Sequence, residues 1–109
     1  MSVLLVLTNL PDRPAAEKLA QTLVGERLAA CVSILAPCRS VYRWNGVVQS
    51  EEEIPVLAKT TSERYAALEA AIRSNHPYEL PEIVAVPIRG GLPGYLAWVA
   101  AETGSDPQY

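Results

Sequence analysis

The sequence has few of the residues that build metal, redox and nucleic-acid sites. Its 109 residues include two cysteines, one histidine and no phenylalanine, and no CxxC motif or Cys/His cluster suggests zinc. Nine basic residues against twelve acidic ones give a net charge of −3, which argues against the basic face of a nucleic-acid binder. No apolar run approaches the roughly 20 residues that span a bilayer, and no secretory signal is visible. The sequence predicts a cytoplasmic protein with neither a nucleic-acid nor a membrane partner.

The two cysteines are predicted to be free thiols. Cys31 and Cys38 lie in one predicted strand, which would place them roughly 23 Å apart at about 3.3 Å per residue. A disulfide requires Cα atoms about 4.4–6.8 Å apart. Free thiols fit a reducing compartment.

Motifs of the common enzyme classes are absent from the sequence. It contains no P-loop, no GxGxxG and no nucleophile elbow. A cysteine–histidine hydrolase would need an exposed Cys31 near His76, but Cys31 lies in an apolar stretch. We therefore predict that the protein is not an enzyme.

Hydrophobic periodicity predicts an α+β domain with the order β-α-β-β-α-β and a C-terminal helix. This is the ferredoxin-like pattern: a four-stranded antiparallel sheet that carries two helices on one face. A long hairpin, about 30–60, joins the second and third strands and turns at Asn45-Gly46, a type I′ signal. The predicted strands are 3–8, 30–44, 47–60 and 82–88, and the predicted helices are 14–24, about 60–75 and 95–102.

Three local features refine this prediction. Pro37 interrupts the second strand as a bulge or bend, and Pro55 demands a bulge or an edge in the third. Thr60 and Glu63 form a predicted capping box at the start of the second helix.

The hairpin carries more apolar and aromatic side chains than a domain of this size can bury. We expect them to pack against another copy of the chain, with Tyr42 and Trp44 in the interface. The residues concerned are Val41, Tyr42, Trp44, Val47 and Val48.

Several motifs resemble those of the CutA family of divalent-cation tolerance proteins. They are "LAACVSI", "SVYRWNG", "LAKTT", "HPYELPEI" and "YLAW", in the family's order across nearly the whole chain. The resemblance implies one CutA-like domain over residues 1–109, a homotrimer similar to the PII signalling proteins, and a response to metal ions with copper binding. Thr8 and Asn75 stand where some members have a cysteine and a histidine, and both losses weaken a copper site.

The candidate metal ligands are His76 and Cys31, for copper or another divalent metal. His76 is either an imidazole ligand or proton carrier at an intersubunit cleft, or a ring positioned by backbone hydrogen bonds at a helix end. Cys31 is either a ligand or a small buried hydrophobe. No role is predicted for Cys38.

The stiff segment "HPYELPEI" is predicted to form the edge of a ligand cleft or a subunit contact, with Tyr78 and Glu82 held in fixed directions by two prolines. Lys59 is a candidate for binding an anion in the same cleft. The alternative is a salt bridge with Glu82 or with a neighbouring subunit.

The acidic run Glu51 to Glu53 is read as a solvated edge that discourages aggregation. The alternatives are a site for a hard cation or a pairing of one carboxylate with Arg43 or Lys59. Glu51 and Glu53 should share one side of the strand.

The predicted function is that of a CutA-type tolerance protein, which binds a divalent metal or a small ligand in clefts between the subunits of a homotrimer. The alternative is a PII-like signalling protein that displays its hairpins to an unidentified protein partner, with incidental metal binding.

Overall fold

The computed structural model describes residues 2–104, and it confirms the ferredoxin-like α+β fold. Five strands are formed instead of four, because the interruption before Cys38 divides the predicted second strand in two. The elements are β1 (Val3–Leu10), α1 (Arg13–Gly25), β2 (Cys31–Ile34), β3 (Cys38–Trp44), β4 (Val47–Thr61), α2 (Tyr65–Ser74), β5 (Ile83–Pro87) and α3 (Pro93–Glu102).

The sheet is antiparallel, with strand order β2-β4-β1-β5. Strand β4 is 15 residues long, so one half of it pairs with β1 and β2 while the other half pairs with β3 beyond the sheet. We call this β3–β4 ribbon the arm. It gives the molecule a longest extent of 48 Å against 26 and 23 Å.

The strand break accommodates both prolines without a bulge. Pro55 pairs in register with Asn9 of β1, and its carbonyl accepts a hydrogen bond of 2.9 Å from Leu35 N–H. The N–H and C=O of a residue in an antiparallel strand point to the same side. The N–H that Pro55 lacks would therefore face the break between β2 and β3, where no ladder partner is required.

Helices α1 and α2 cover one face of the sheet, the inner face. Alternate residues of β4 point into this core, and Val56 is 1% exposed. Leu19 and Leu23 of α1 and Leu68 of α2 pack there with at most 1% exposure. The chain's main hydrophobic core therefore lies on the inner face.

The helix starts differ in how they are capped. Asp12 caps α1 through a 2.9 Å hydrogen bond from Ala15 N–H to its side chain, as a helix N-cap should. The predicted capping box at Thr60 and Glu63 is wrong. Thr60 is a buried residue of β4 whose hydroxyl donates to the Leu28 carbonyl at 2.6 Å, and α2 begins five residues later without a side-chain cap.

Helix α3 covers only one end of the opposite, outer face. Val99 packs there against Val3 and Ala30. Arg27 anchors the C-terminal end of α3 by donating to the carbonyls of Gly104 at 2.9 Å and Ala101 at 2.8 Å. The helix dipole also favours a cation at this end.

The remainder of the outer face is apolar and partly exposed. Val84 and Val86 of β5 are 48% and 49% exposed, and each pairs with a half-buried leucine of β1. The residues of this uncovered outer face are Leu5, Leu7, Leu57, Val84 and Val86.

The arm ends in the predicted type I′ turn. Asn45 and Gly46 both have positive φ, 51° and 78°, as that turn requires. Val41, Val47 and Val48 remain 56–66% exposed. Within residues 2–104, no helix is long and apolar enough to cross a membrane.

Candidate functional site: an acidic cleft beneath the arm

An open cleft of about 950 Å³ lies between the arm and the segment 77–82, which we call the lip. The arm supplies one wall and the lip the other, and Asn9 at the end of β1 contributes between them. The lining residues are Asn9, Ser40, Val41, Tyr42, Trp44, Gln49, Glu51, Glu53, Pro77, Tyr78, Glu79, Leu80, Pro81 and Glu82.

Strand alternation sorts the charges of the arm. Glu51 and Glu53 share one side of β4, as the sequence predicts, and both line the cleft. Arg39 and Arg43 lie three positions and one position from the cleft-lining Tyr42 along β3. Their side chains therefore point to the opposite side of the arm, away from the cleft. As a result, the cleft has four glutamates and, among residues 2–104, no lysine or arginine in its lining.

Glu53 lies at the buried base of the cleft with 8% of its surface exposed. The Tyr78 hydroxyl donates to its Oε2 at 3.0 Å. Burial and this hydrogen bond raise the pKa of Tyr78 well above its ordinary value, so the phenol remains a donor. The solvated-edge interpretation of the acidic run is therefore wrong for Glu53, although Glu51 and Glu52 are exposed.

Glu51 has a similar partner nearer to the opening. The Tyr42 hydroxyl donates to Glu51 Oε1 at 2.7 Å, and this bond is the main cause of the raised pKa of Tyr42. Two phenols thus orient two carboxylates without neutralising them. The alternative pairing with Arg43 is not formed, because Arg43 donates to the Gly46 carbonyl at 3.4 Å.

His76 fastens the start of the lip to the end of β1. Its Nδ1 accepts from Tyr78 N–H at 3.2 Å, and its Nε2 lies 2.7 Å from the Asn9 carbonyl. These two partners define a neutral ring with the proton on Nε2. Asn9 Nδ2 also donates to Glu82 Oε1 at 3.3 Å, so both ends of the lip are held by the same β1 residue.

The two predicted metal ligands occupy different places. His76 has both ring nitrogens engaged, while Cys31 pairs with Lys59 at the far end of β4 and lines neither the cleft nor its edge. Cys31 and Cys38 are both free thiols, as predicted. Residues 2–104 contain no group of three or more histidine, cysteine, aspartate or glutamate side chains that is arranged to hold a metal ion.

Position 8, where some relatives have cysteine, is also outside the cleft. Thr8 is 3% exposed, and its hydroxyl has no hydrogen-bond partner among the described residues. It alternates with the core residues Val6 and Leu10, so it faces the helix-covered core.

The proposed ligand residues divide between two locations. Tyr78 and Glu82 lie together in the cleft with the predicted interface residues Tyr42 and Trp44. Lys59 lies on the same side of β4 as Glu53 but six residues away, roughly 20 Å, and its Nζ is 6.0 Å from the centre of the Tyr95 ring. In the part of one chain that the structure describes, the cleft is lined by carboxylates and by no lysine.

Sequence reasoning missed the importance of Asn9 and of Glu53. Asn9 gave no signal, because an asparagine at the end of a strand is typical of any turn. Glu53 had one usable signal, the alternation that separates it from Glu52. Its burial depends on the lip, whose path along the sheet is a tertiary feature.

Comparison with known proteins identifies the family. The model of the CutA1 divalent ion tolerance protein family matches residues 4–102. The divalent-cation tolerance protein CutA of Thermus thermophilus is 43% identical over 99 residues, covering 91% of this chain and 96% of that protein. The chloroplastic protein CutA of Arabidopsis thaliana is 41% identical over 92% of this chain and 55% of its own length.

The structural comparison agrees. The crystal structure of CutA1 from Oryza sativa superposes with a TM-score of 0.93 at 36% identity, covering 97% of each chain. The family is described by tolerance to divalent ions and not by a catalysed reaction. The chain therefore belongs to the CutA1 divalent ion tolerance family.

Proposed function

We propose that this protein acts in divalent-cation tolerance as a homotrimer, and that its acidic cleft binds a cationic ligand, either a divalent metal or a small molecule. The observation that carries the proposal is Glu53, a carboxylate with 8% exposure in a cleft to whose lining residues 2–104 contribute no basic side chain. Buried charges in proteins are normally paired with an opposite charge or bound to a metal. A bound cation would supply the missing positive charge.

The donor atoms of the cleft suit a hard cation better than copper. Glu51 and Glu53 offer carboxylate oxygens, the ligands preferred by hard divalent cations. Copper favours imidazole and thiolate, but His76 uses both nitrogens within the chain and Cys31 is remote. We therefore expect copper to bind weakly. Its binding should depend on the cleft carboxylates and on breaking the hydrogen bonds of the His76 ring to Asn9 and Tyr78.

Two surfaces support the homotrimer. The uncovered outer face carries apolar residues of three adjacent strands, β4, β1 and β5, and the arm exposes Val41, Val47 and Val48 by more than half. Contiguous exposed apolar surface is typical of an interface. Because the cleft is built on the arm, its walls would lie beside a neighbouring subunit in such an assembly.

The test is a calorimetric titration of Cu²⁺ and Mg²⁺ into the parent, Glu53→Gln and His76→Ala. Glu52→Gln is the matched control, since Glu52 is exposed on the other side of the same strand. We expect Glu53→Gln to weaken binding about tenfold or more, as the loss of a charged ligand should, and Glu52→Gln to leave it unchanged. Metal binding that is equal in parent and Glu53→Gln would contradict the cleft as the site.

The second candidate is a PII-like signalling role in which the arm binds a protein partner. The exposed valines on the arm favour it, because each of them has more than half of its surface exposed. A stable partner lost with Val48→Ser but retained with Glu53→Gln would favour this role. We propose a cytoplasmic location for either function, supported by two free thiols.

A further inference from the structure

The buried carboxylate of Glu53 lacks a complete set of partners. Its Oε2 accepts from Tyr78, whereas Oε1 has no hydrogen bond among the described side chains. Among residues 2–104, the fully buried side-chain N and O atoms that lack a hydrogen-bond partner are Thr8 Oγ1 and Arg64 Nε. Glu53 Oε1 is not one of them, so this oxygen is not fully buried. Glu53 Oε1 therefore reaches the open space of the cleft, where it presents a free acceptor and an unneutralised charge.

A bare metal ion does not satisfy this cleft well. The four glutamates are divided between two walls, with Glu51 and Glu53 on the arm and Glu79 and Glu82 on the lip. They do not converge into a ligand group within residues 2–104. The space of about 950 Å³ is also far larger than one ion needs, and lies at the upper end of the range for small-molecule sites.

The uncharged part of the lining is aromatic and apolar. Tyr42, Trp44 and Tyr78 contribute rings, and Leu80 contributes aliphatic surface. Aromatic faces attract organic cations, and alkyl chains bury favourably against such walls. Carboxylates accept the N–H groups of an ammonium or a guanidinium in short, strong hydrogen bonds.

We propose that the cleft binds a small organic dication, an alkyl diamine or a guanidino-amine, with one cationic group on Glu53 and the other on the lip carboxylates. This inference rests on the proposed function of the cleft as a cation site, and it names the ligand class. The alkyl chain crosses between the walls over the aromatic rings. Glu79 is exposed and carries the outer charge, while Glu82 is already held by Asn9.

The test is calorimetry on the assembled protein with 1,4-diaminobutane and agmatine, and with butylamine and succinate as ligand controls. We expect both dications to bind, butylamine to bind about tenfold more weakly because it meets one wall only, and succinate not to bind. Binding should weaken as salt rises, because part of the site is open to solvent.

Three variants locate the site. Glu53→Gln keeps the acceptor for Tyr78 and removes the charge, and should weaken the diamine about tenfold or more. Glu52→Gln is the control and should bind as the parent does. Tyr42→Leu removes a ring and should weaken binding several-fold, whereas Tyr42→Phe keeps the ring and should bind more tightly than Tyr42→Leu.

Parallel titrations with Mg²⁺ and Cu²⁺ separate this inference from the proposed function. Metal binding that requires Glu53, without diamine binding, would overturn the inference and leave the cleft as a metal site. No binding of either class would overturn both. Equal diamine binding by the parent and Glu53→Gln would also overturn the inference. A further contrary result would be a parent that binds no diamine together with a Glu53→Gln variant that no longer assembles. Glu53 would then be a subunit contact.

Discussion

The inner face of the sheet and the cleft under the arm contrast sharply, although β4 supplies residues to both. Ile54, Val56 and Ala58 point inward and are covered by α1 and α2 at 1–6% exposure. Glu51 and Glu53 point the other way, into a cleft that the chain leaves open. The inner face is complete within one chain, whereas the cleft and the arm have unsatisfied charge and exposed apolar surface.

This difference separates residues that stabilise the monomer from residues that serve binding. A complete core responds to mutation with a loss of folding free energy. An incomplete region should respond mainly through assembly or ligand binding, with changes in monomer stability that are smaller than those of the core. Each prediction below places one residue on one side of that division.

The largest effect is expected in the core. Leu68 is fully buried between α2 and the sheet, so Leu68→Ala should lower the free energy of unfolding by about 2–5 kcal/mol. Urea denaturation at a fixed protomer concentration measures it. Leu92→Ala, at a position 74% exposed, is the control and should change stability by less than about 0.5 kcal/mol. Similar losses in both variants would refute the complete inner core.

Trp44 tests the arm. It is 40% exposed in the single chain, and we predict that it is buried between subunits of a trimer. Trp44→Ala should weaken assembly by about 2 kcal/mol or more, the value typical of an interface hot spot, with the secondary structure retained.

Sedimentation equilibrium at several concentrations measures this change. Val24→Ala, an apolar position on α1 that is 44% exposed, should leave the trimer intact. A parent protein that sediments as a stable monomer at micromolar concentration would refute the assembly itself.

Tyr78 links the lip to the buried carboxylate and should have a smaller effect. Tyr78→Phe removes the hydrogen bond to Glu53 and should cost about 1–2 kcal/mol near neutral pH. The raised pKa of Tyr78 means that the unfolded chain ionises first, near its ordinary value of 10.0. The parent should therefore lose stability as pH rises above about 10.

The Tyr78→Phe variant should show a shallower loss over the same alkaline range. Urea denaturation at pH values from about 8 to 11 measures both slopes. Leu92→Ala leaves every titrating group in place and should keep the parent slope. Equal slopes in parent and Tyr78→Phe would show that the phenol is not held in its neutral form by the fold.

The sequence predicted the fold well where local patterns decide it. Asn45-Gly46 specified the turn, and the periodicity of α1 and α2 located the covered face. The capping box failed because Thr60 has high strand propensity and a buried acceptor at Leu28, and tertiary pairing prevailed over the local signal.

The cleft was predictable only in part. The two prolines of the lip and the alternation of Glu51 and Glu53 are local signals. They indicated a segment at the edge of a cleft and a shared side for the two glutamates, and both features are present. The contact between Tyr78 and Glu53 joins residues 25 positions apart, and the His76 contact with Asn9 joins residues 67 apart. No short-range pattern specifies either pair.

The most direct test of the account is the stability of Glu53→Gln without ligand. If Glu53 is a buried charge that awaits a cation, its neutral isostere should keep the hydrogen bond from Tyr78 and lose the burial penalty. Urea denaturation at equal protomer concentration should then show Glu53→Gln about 1 kcal/mol more stable than the parent, with Glu52→Gln unchanged. A Glu53→Gln variant less stable than the parent by a similar amount would contradict the account, because the charge would then already be satisfied within the protein.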